Sequence, residues 1–252
     1  MNKIKYFLVL SIVVLTACGD GTGTGAQGNA NASTGTGGSM ARFSIVDNML
    51  YAISENNIQL VNIEEPESPI LWDKINVGFG IETLFTYDKY LFIGSQSGVF
   101  IYDYSNPELP EYISEFTHAR SCDPVVVEGN FAFVTLRSNS RCFGNSNQLD
   151  ILDISDIQHP HLVKTYPMHE PYGLGIVDEK LFICDGDEGL KVFDVSDKES
   201  IELIEQQVDV SCYDVIPTTS KLIVSSSSGI PQYNHQGNEL ITLSEIPVGL
   251  ND

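Results

Sequence analysis

Basic residues are few in this sequence of 252 residues. Lys and Arg together number 13, whereas Asp and Glu number 34, and the formal net charge is -21. A nucleic-acid-binding surface needs a basic footprint, and electrostatic docking on anionic lipid needs a polybasic segment. This charge balance therefore excludes a nucleic-acid partner and argues against membrane binding through basic side chains.

Tryptophan is nearly absent, with one residue against 12 Phe, 11 Tyr and 21 Gly. Charged residues make up only 19% of the chain and hydrophobic residues 42%, which is enough for a core and excludes wholesale disorder. Aromatic residues combined with frequent glycine favour β-strands joined by many turns.

The apolar run at residues 6–15 is too short to cross a bilayer as a permanent helix. Lys3 and Lys5 precede it, and Leu-Thr-Ala-Cys at residues 15–18 closes it. These parts resemble the signal peptide and lipobox of bacterial lipoproteins, in which the cysteine is diacylated and becomes the mature N-terminus. The sequence therefore predicts a lipoprotein signal peptide over 1–17 and a lipid anchor on Cys18. The alternative is an ordinary secretory peptide with an incidental cysteine.

The residue after Cys18 is Gly19, not the Asp that retains Gram-negative lipoproteins in the inner membrane. The resemblance thus implies attachment to the outer membrane, facing either the periplasm or the cell surface. Residues 18–39 comprise the acylated cysteine and a flexible Gly/Thr linker that cannot bury enough surface to become ordered. Its Gly-x-Gly-x-x-Gly at residues 23–28 lacks the strand and helix that flank a dinucleotide site, so no cofactor is predicted.

From residue 40 onward, short apolar runs alternate with turn residues, and the pattern repeats along the chain. Each unit contains an alternating strand that ends on a short polar anchor residue. The anchors are Asn62, Asp103, Asp153, Asp194 and Asn234. Their spacings are 41, 50, 41 and 40 residues, and the long one reflects an insertion at residues 137–147.

Four short strands in a unit of about 41 residues are the signature of a propeller blade. One blade cannot bury both faces of its sheet, so the units must stack radially. The sequence predicts an all-β fold, a β-propeller of five four-stranded blades over residues 40–252. Pro231 interrupts the third strand of the last blade, whose regularity is in question.

The segment Leu-Asp-Ile-Leu-Asp-Ile-Ser-Asp at residues 149–156 resembles the LVIVD-repeat family of bacterial lipoproteins. Segments at 38–43, 121–127 and 213–217 are similar to the same family, and the resemblance spans residues 38–248. It implies a β-propeller on the cell envelope. It implies no activity, because the family has none to carry over.

Four cysteines besides Cys18 suggest disulfides in an exported chain. Cys122 opens an inner strand and Cys142 lies in the insertion near the same edge, which predicts a bond that staples the long loop. Cys184 and Cys212 fall at that edge as well. They are either a second pair or two free thiols packed as small apolar groups.

The repeat alignment also predicts a binding site around the mouth of the propeller. Eight polar or aromatic residues lie where inner strands begin or close to that edge: Glu82, Arg120, Asp123, His169, Tyr172, Asp185, Tyr213 and Asp214. Propeller mouths commonly bind ligands. The alternative is that these side chains only solvate the rim and cap strand ends.

Motifs for metal binding and catalysis are weak or missing. Asp185, Asp187 and Glu188 resemble part of a calcium loop, but the full pattern is absent, and His159 and His161 lack a third ligand at metal spacing. No nucleophile elbow, P-loop or HExxH occurs, so neither a metal nor catalytic residues are assigned.

The function favoured by the sequence is a lipid-anchored binding module for a protein, peptide or glycan. An exported hydrolase or lyase that uses an acidic rim is the alternative. A purely structural component of the cell envelope is a third reading.

The lipid anchor is directly testable. Cys18→Ala removes the acylated thiol. We therefore expect the variant to lose palmitate labelling and to stop partitioning into the detergent phase. Cys142→Ala, which leaves the lipobox intact, should label like the wild type. Unchanged membrane partitioning of the Cys18 variant would contradict the lipobox interpretation.

Overall fold

Five antiparallel sheets form the structure of this chain, a computed structural model that describes residues 37–117, 124–138 and 146–248. Each sheet is a blade whose four strands follow one another in sequence, so the prediction of an all-β propeller with five four-stranded blades is confirmed. Within these ranges no helix is long and apolar enough to cross a membrane. The predicted signal peptide, Cys18 and residues 19–36 of the predicted linker lie outside the described residues. The linker was predicted to stay flexible up to residue 39, but Ser39 is buried and hydrogen-bonded, so this boundary is wrong.

The strands of each blade run from the inner edge to the outer edge of its sheet. Blade 1 contains β1 (Phe43–Val46), β2 (Met49–Ser54), β3 (Asn57–Asn62) and β4 (Ile70–Asn76). Blade 2 contains β5 (Ile81–Tyr87), β6 (Tyr90–Ser95), β7 (Gly98–Asp103) and β8 (Glu111–Thr117). Blade 3 contains β9 (Val125–Glu128), β10 (Phe131–Leu136), β11 (Gln148–Asp153) and β12 (His161–Pro167).

The last two blades follow the same plan. Blade 4 contains β13 (Pro171–Val177), β14 (Lys180–Asp185), β15 (Leu190–Asp194) and β16 (Glu202–Gln207), with a 3-10 turn at Gly186–Glu188. Blade 5 contains β17 (Cys212–Pro217), β18 (Lys221–Ser226), β19 (Gly229–Asn234) and β20 (Ile241–Pro247). Pro231 lies within β19, where pairing to β18 has already ended at Gln232, so the blade keeps its four strands.

The five anchor residues each make the same kind of hydrogen bond. In every blade the side-chain oxygen at the end of the third strand accepts the backbone N–H two residues later, at 2.7–2.9 Å. A short Asn or Asp side chain can close such a turn. This bond explains why the anchor recurs in each unit.

Neighbouring blades pack through fixed repeat positions on the second strand. We call the face of a blade turned to the following blade its trailing face, and the opposite one its leading face. The trailing face carries a large side chain that is fully buried in four blades, namely Tyr51, Phe92, Phe133 and Phe182. The preceding position packs on the leading face and is buried in four blades, as Leu91, Ala132, Leu181 and Leu222.

Four hydrophobic clusters correspond to four blade interfaces, from blades 1 and 2 to blades 4 and 5. Among the described residues no such cluster joins blade 5 to blade 1. The equivalent residues there, Leu50 on blade 1 and Ile223 on blade 5, are only half-buried. Inner strands β5, β9, β13 and β17 each pack on the preceding inner strand, whereas β17 and β1 do not approach comparably.

The segment at residues 37–41, which we call the strap, links the two ends of the blade series. The Ser39 hydroxyl accepts the N–H of Leu174 in blade 4 at 2.8 Å, and the N–H of Leu84 in blade 2 donates to the Ala41 carbonyl at 2.9 Å. Ser39 and Met40 also donate to the Asp214 carboxylate in blade 5, so the strap contacts blades 2, 4 and 5 through polar groups before the chain enters blade 1.

A disulfide joins Cys184 at the end of β14 to Cys212 at the start of β17, with Cα atoms 5.4 Å apart. The sequence allows either a bond or two free thiols for this pair, and the bond is confirmed. It cross-links blades 4 and 5 beside a shared core. Cys122 and Cys142 lie outside the described residues, so their pairing stays a prediction.

Substitutions at equivalent repeat positions should lower the free energy of unfolding by different amounts. Phe182→Ala empties a fully buried site between blades 4 and 5 and should lower the free energy of unfolding by about 3–5 kcal/mol. Ile223→Ala, at the same position of blade 5, should cost at most about 1 kcal/mol in dilute solution because the side chain is half-buried. Urea denaturation followed by circular dichroism measures both, and equal losses would show that blade 1 covers Ile223.

Candidate functional site

Two of the predicted rim residues meet at the mouth of the propeller. Tyr172 near the start of β13 and Tyr213 near the start of β17 have ring centroids 6.1 Å apart, with the rings at 72°. This edge-to-face arrangement is a preferred aromatic geometry. Tyr213 is 46% exposed, so one ring of the pair faces solvent.

Arg137, which follows β10 in blade 3, extends this pair. Its guanidinium carbon lies 3.8 Å from the centroid of the Tyr172 ring. The Tyr172 hydroxyl donates to Glu170 Oε1 at 3.4 Å. We call these four residues, Arg137, Glu170, Tyr172 and Tyr213, the aromatic rim. They place a cation, a carboxylate and two phenol rings side by side on blades 3, 4 and 5.

Asp185 lies at the same edge but is completely buried. Its carboxylate accepts the backbone N–H groups of His169 and Glu170 at 2.8–3.1 Å, and it accepts Lys191 Nζ at 2.6 Å. Three donors compensate the burial of this charge. Asp185 thus fixes the loop that carries Glu170, and His169 takes part through its backbone.

Lys191 is the buried counter-charge in this arrangement. Burial by itself lowers the pKa of its ammonium group, but hydrogen bonds and charge from Asp185 and Glu188 outweigh it, so the pKa is raised. The ammonium group also contacts the Glu188 carboxylate of the 3-10 turn. Lys191 therefore stays charged and holds this turn against the edge of blade 4.

Asp214 lies beside the central channel, under the strap. Its carboxylate accepts the Ser39 hydroxyl at 3.1 Å and the Met40 N–H at 3.3 Å. Burial raises the pKa of Asp214 from 3.8 to about 6, although its hydrogen bonds oppose the rise. A Cβ at Gly173 would overlap Oδ1 of this carboxylate, so the close approach of β13 and β17 requires glycine there.

The remaining predicted rim residues are more dispersed. Glu82 lies half-buried in β5 of blade 2. Arg120 and Asp123 fall outside the described residues. The structure thus brings Tyr172 and Tyr213 together, places Asp185 and Asp214 in internal contacts, and adds Arg137 and Glu170, which the sequence reasoning had not selected.

One cavity lies near the predicted rim residues, and a second lies at the opposite edge of the blades. A cavity of about 130 Å³ in the central channel is lined by the strap and by inner-strand residues such as Phe85, Leu174 and Val215. A groove of about 800 Å³ lies at the opposite edge, between blades 3 and 4, and includes Phe131 and Lys198. The groove contains none of the predicted rim residues, so it does not carry the predicted site.

The two sequence segments that resemble metal-binding motifs form an exposed turn and a 3-10 turn. His159 Nδ1 lies 2.9 Å from the Asp156 carboxylate in an exposed turn, and the segment from Gly186 to Glu188 forms the 3-10 turn. Within the part of the chain that the structure describes, no three His, Cys, Asp or Glu side chains are grouped to hold a metal ion.

Comparison with known proteins identifies LVIVD repeats in the chain. The LVIVD repeat model matches residues 119–167 and 179–209, which fall in blades 3 and 4. No curated protein sequence matches the chain.

Solved structures resemble the fold at low sequence identity. The computationally designed protein Ika8 has a TM-score of 0.56 at 12% identity over 79% of this chain, and the chain spans only 59% of it. A functionally unknown protein from Desulfotomaculum acetoxidans has a TM-score of 0.65 at 10% identity, covering 87% of this chain and 70% of that one. A candidate 6-phosphogluconolactonase from Bacteroides fragilis has a TM-score of 0.63 at 11% identity, covering 82% and 69%. Identities this low establish the fold alone.

The raised pKa of the half-buried Asp214 carboxylate predicts a pH dependence of stability. Its folded pKa of about 6 lies above 3.8, so the folded state binds the proton more tightly, and the free energy of unfolding should fall as pH rises from about 4 to 6. Asp214→Asn mimics the protonated form and should be more stable than the wild type at pH 7.5, by roughly 1–3 kcal/mol. At pH 4 the two should converge.

Urea midpoints of the two proteins, measured from pH 4 to pH 8, test this dependence. The difference between them removes the background from the other carboxylates. A wild type that gains stability relative to Asp214→Asn as pH rises would contradict the assignment.

Proposed function

We propose that this LVIVD-repeat β-propeller is a lipid-anchored module of the outer membrane that binds a protein, peptide or glycan at the aromatic rim. The observation that carries the proposal is the contact between Tyr172 and Tyr213 at the mouth, with Tyr213 46% exposed. Rigid aromatic side chains that are held in place provide contact area at little entropic cost.

The charged members of the rim supply direction. Arg137 stacks on one Tyr172 face, and Glu170 receives the hydroxyl of the same ring. A ligand that lies on Tyr213 would have both a planar cation and a carboxylate close by, around the neighbouring Tyr172 ring. Such a pair orients polar groups, such as the hydroxyls of a sugar or the amides of a peptide.

The N-terminal segment supports the proposed location. Acylation of Cys18 would attach the chain to the outer membrane, on its periplasmic or its outer side. The Gly-rich linker that precedes the strap, at 19–36, would span roughly 20–25 Å as a flexible coil, and the propeller could then present its mouth away from the lipid surface.

An exported hydrolase or lyase is the second candidate. One observation favours it, because a carboxyl group with a pKa near 6, such as Asp214, suits general acid–base catalysis. The hydrogen bonds from Ser39 and Met40, however, already occupy this carboxylate. The exposed rim is therefore more accessible to a ligand than the Asp214 carboxylate is to a substrate.

Substitution of both rim tyrosines tests the binding function. A screen of envelope glycans and outer-membrane extracts would supply the ligand, and titration calorimetry would then compare the wild type with Tyr172→Ala/Tyr213→Ala. We expect at least a tenfold loss of affinity, since stacking area and one oriented hydroxyl are both removed. Tyr112→Ala, at a 52% exposed tyrosine on outer strand β8, is the matched control and should bind normally.

The same experiment has a clear contrary result. If the double variant keeps its disulfide and its melting transition and still binds with full affinity, the aromatic rim is not the site. Arg137→Lys adds a finer test, because it retains the charge and loses the planar stack. A rim that uses the guanidinium plane should bind several-fold more weakly in this variant.

A further inference from the structure

The groove of about 800 Å³ between blades 3 and 4, which we call the acidic groove, lies at the edge opposite the aromatic rim. Three apolar side chains line it: Phe131, Leu162 and Val163. Four carboxylates line it as well: Asp153, Glu179, Asp197 and Glu199. Its volume falls in the range of cavities that hold drug-sized ligands, which a short peptide segment also fills.

A change at one repeat position accompanies the groove. Four residues after its anchor, blade 3 has Ile157, which packs with Tyr90 against the hydrophobic cluster between blades 2 and 3. Blade 4 has Lys198 at this position. Its ammonium group lies 5.2 Å from the centroid of the Phe131 ring and donates to the Val195 carbonyl. The Phe131 ring therefore borders an open groove and already accepts one cationic side chain.

Two of the four carboxylates are available to a ligand. Asp153 and Asp197 each accept a backbone N–H of their own turn, at 2.8 and 2.9 Å. The side chains of Glu179 and Glu199 are exposed and make no hydrogen bond or ion pair within the part of the chain that the structure describes. The backbone N–H of Glu179 donates to the Glu128 carboxylate at 3.0 Å, which fixes this turn against blade 3.

We propose that the acidic groove binds a short peptide segment of a partner protein that contains lysine or arginine together with apolar residues. The carboxylates of Glu179 and Glu199 receive the basic groups. Phe131 and Leu162, the latter 46% exposed, contact the aliphatic stems and the apolar side chains of the peptide. An inorganic cation would leave these apolar side chains unused.

The charge of the surrounding edge favours the same occupant. Turns at this edge of blades 1 and 2 carry further carboxylates, among them Asp47, Asp88 and Glu108. With a net charge of -21, the chain attracts a basic segment over a long range, and binding should weaken as salt screens this attraction. Because this attraction acts over the whole surface, the test must separate it from binding in the groove.

Lys198 gives a test whose sign depends on the charge of the ligand. Lys198→Met keeps an unbranched side chain beside Phe131 and removes the positive charge from the groove. A basic peptide should bind this variant about two- to fivefold more tightly, because one repulsion is lost. An anionic ligand would bind it more weakly than it binds the wild type.

Fluorescence anisotropy of a dye-labelled hexapeptide of alternating lysine and leucine measures the affinity of the full chain at about 0.15 M salt. We expect Glu179→Gln/Glu199→Gln to bind about fivefold more weakly than the wild type. Glu64→Gln/Glu65→Gln removes the same charge from the same edge of blade 1 and should bind normally. Circular dichroism melting confirms that each variant is folded.

Equal losses in the two double variants would show attraction to the whole acidic surface and would overturn the proposal. A Lys198→Met variant that binds the basic hexapeptide more weakly would overturn it too, as would tighter binding of a hexapeptide of alternating glutamate and leucine. Spermine carries positive charge without apolar side chains and should compete poorly. Competition as strong as that of the unlabelled hexapeptide would show that the groove takes a polyamine instead.

Photo-crosslinking locates the peptide independently of these variants. The same hexapeptide, with one leucine replaced by benzoylphenylalanine, should crosslink to fragments of blades 3 and 4 that contain Leu162 or Lys198. Crosslinks confined to other blades or to the aromatic rim would contradict the proposal. Tyr172→Ala/Tyr213→Ala should bind the hexapeptide like the wild type, so the two binding sites are tested separately.

Discussion

The fold depends on one constraint, namely that each blade is a sheet with two apolar faces and can bury neither by itself. Side chains alternate between the faces of a strand, so Leu181 and Phe182 are adjacent in sequence yet pack into different interfaces. Blades 2, 3 and 4 satisfy both faces through their neighbours. Among the described residues, blades 1 and 5 each bury one face in a hydrophobic cluster.

Between blade 5 and blade 1, polar contacts of the strap stand in place of an apolar cluster in the part of the chain that the structure describes. The strap reaches the inner strands through the Ser39 hydroxyl and backbone groups, and Asp214 accepts two of its donors. A hydrogen bond contributes only about 1 kcal/mol net, and the partly desolvated Asp214 carboxylate costs free energy at neutral pH. The strap is therefore a weaker closure than a core cluster such as that between blades 4 and 5, which the disulfide reinforces.

Much of the fold could be predicted from the sequence because the repeat is local. The anchor spacing, the alternating strands and the turn bond after Asp103 or Asp194 recur in each unit, and aligning units also placed Cys184 near Cys212. The same alignment brought Tyr172 beside Tyr213. Equivalent positions in neighbouring blades are neighbours in space, and this reasoning holds wherever the repeat is regular.

The sequence fails to predict contacts that occur only once in the ring. Asp185 looked like a rim carboxylate, but its burial depends on the loop at His169 and on Lys191, neither of which recurs in other blades. Asp214 is covered by the strap, which precedes the first repeat. Arg137 opens an insertion, so alignment gave it no equivalent. Periodicity carries no information about such contacts, and only the three-dimensional arrangement shows them.

The aromatic rim is built from three consecutive blades. Arg137, Tyr172 and Tyr213 come from blades 3, 4 and 5, whose mutual interfaces are buried and partly cross-linked. Their relative positions are therefore fixed by the same blade packing that forms the core. A ligand at the rim would meet side chains that are already held in place, so little conformational entropy would be lost on binding.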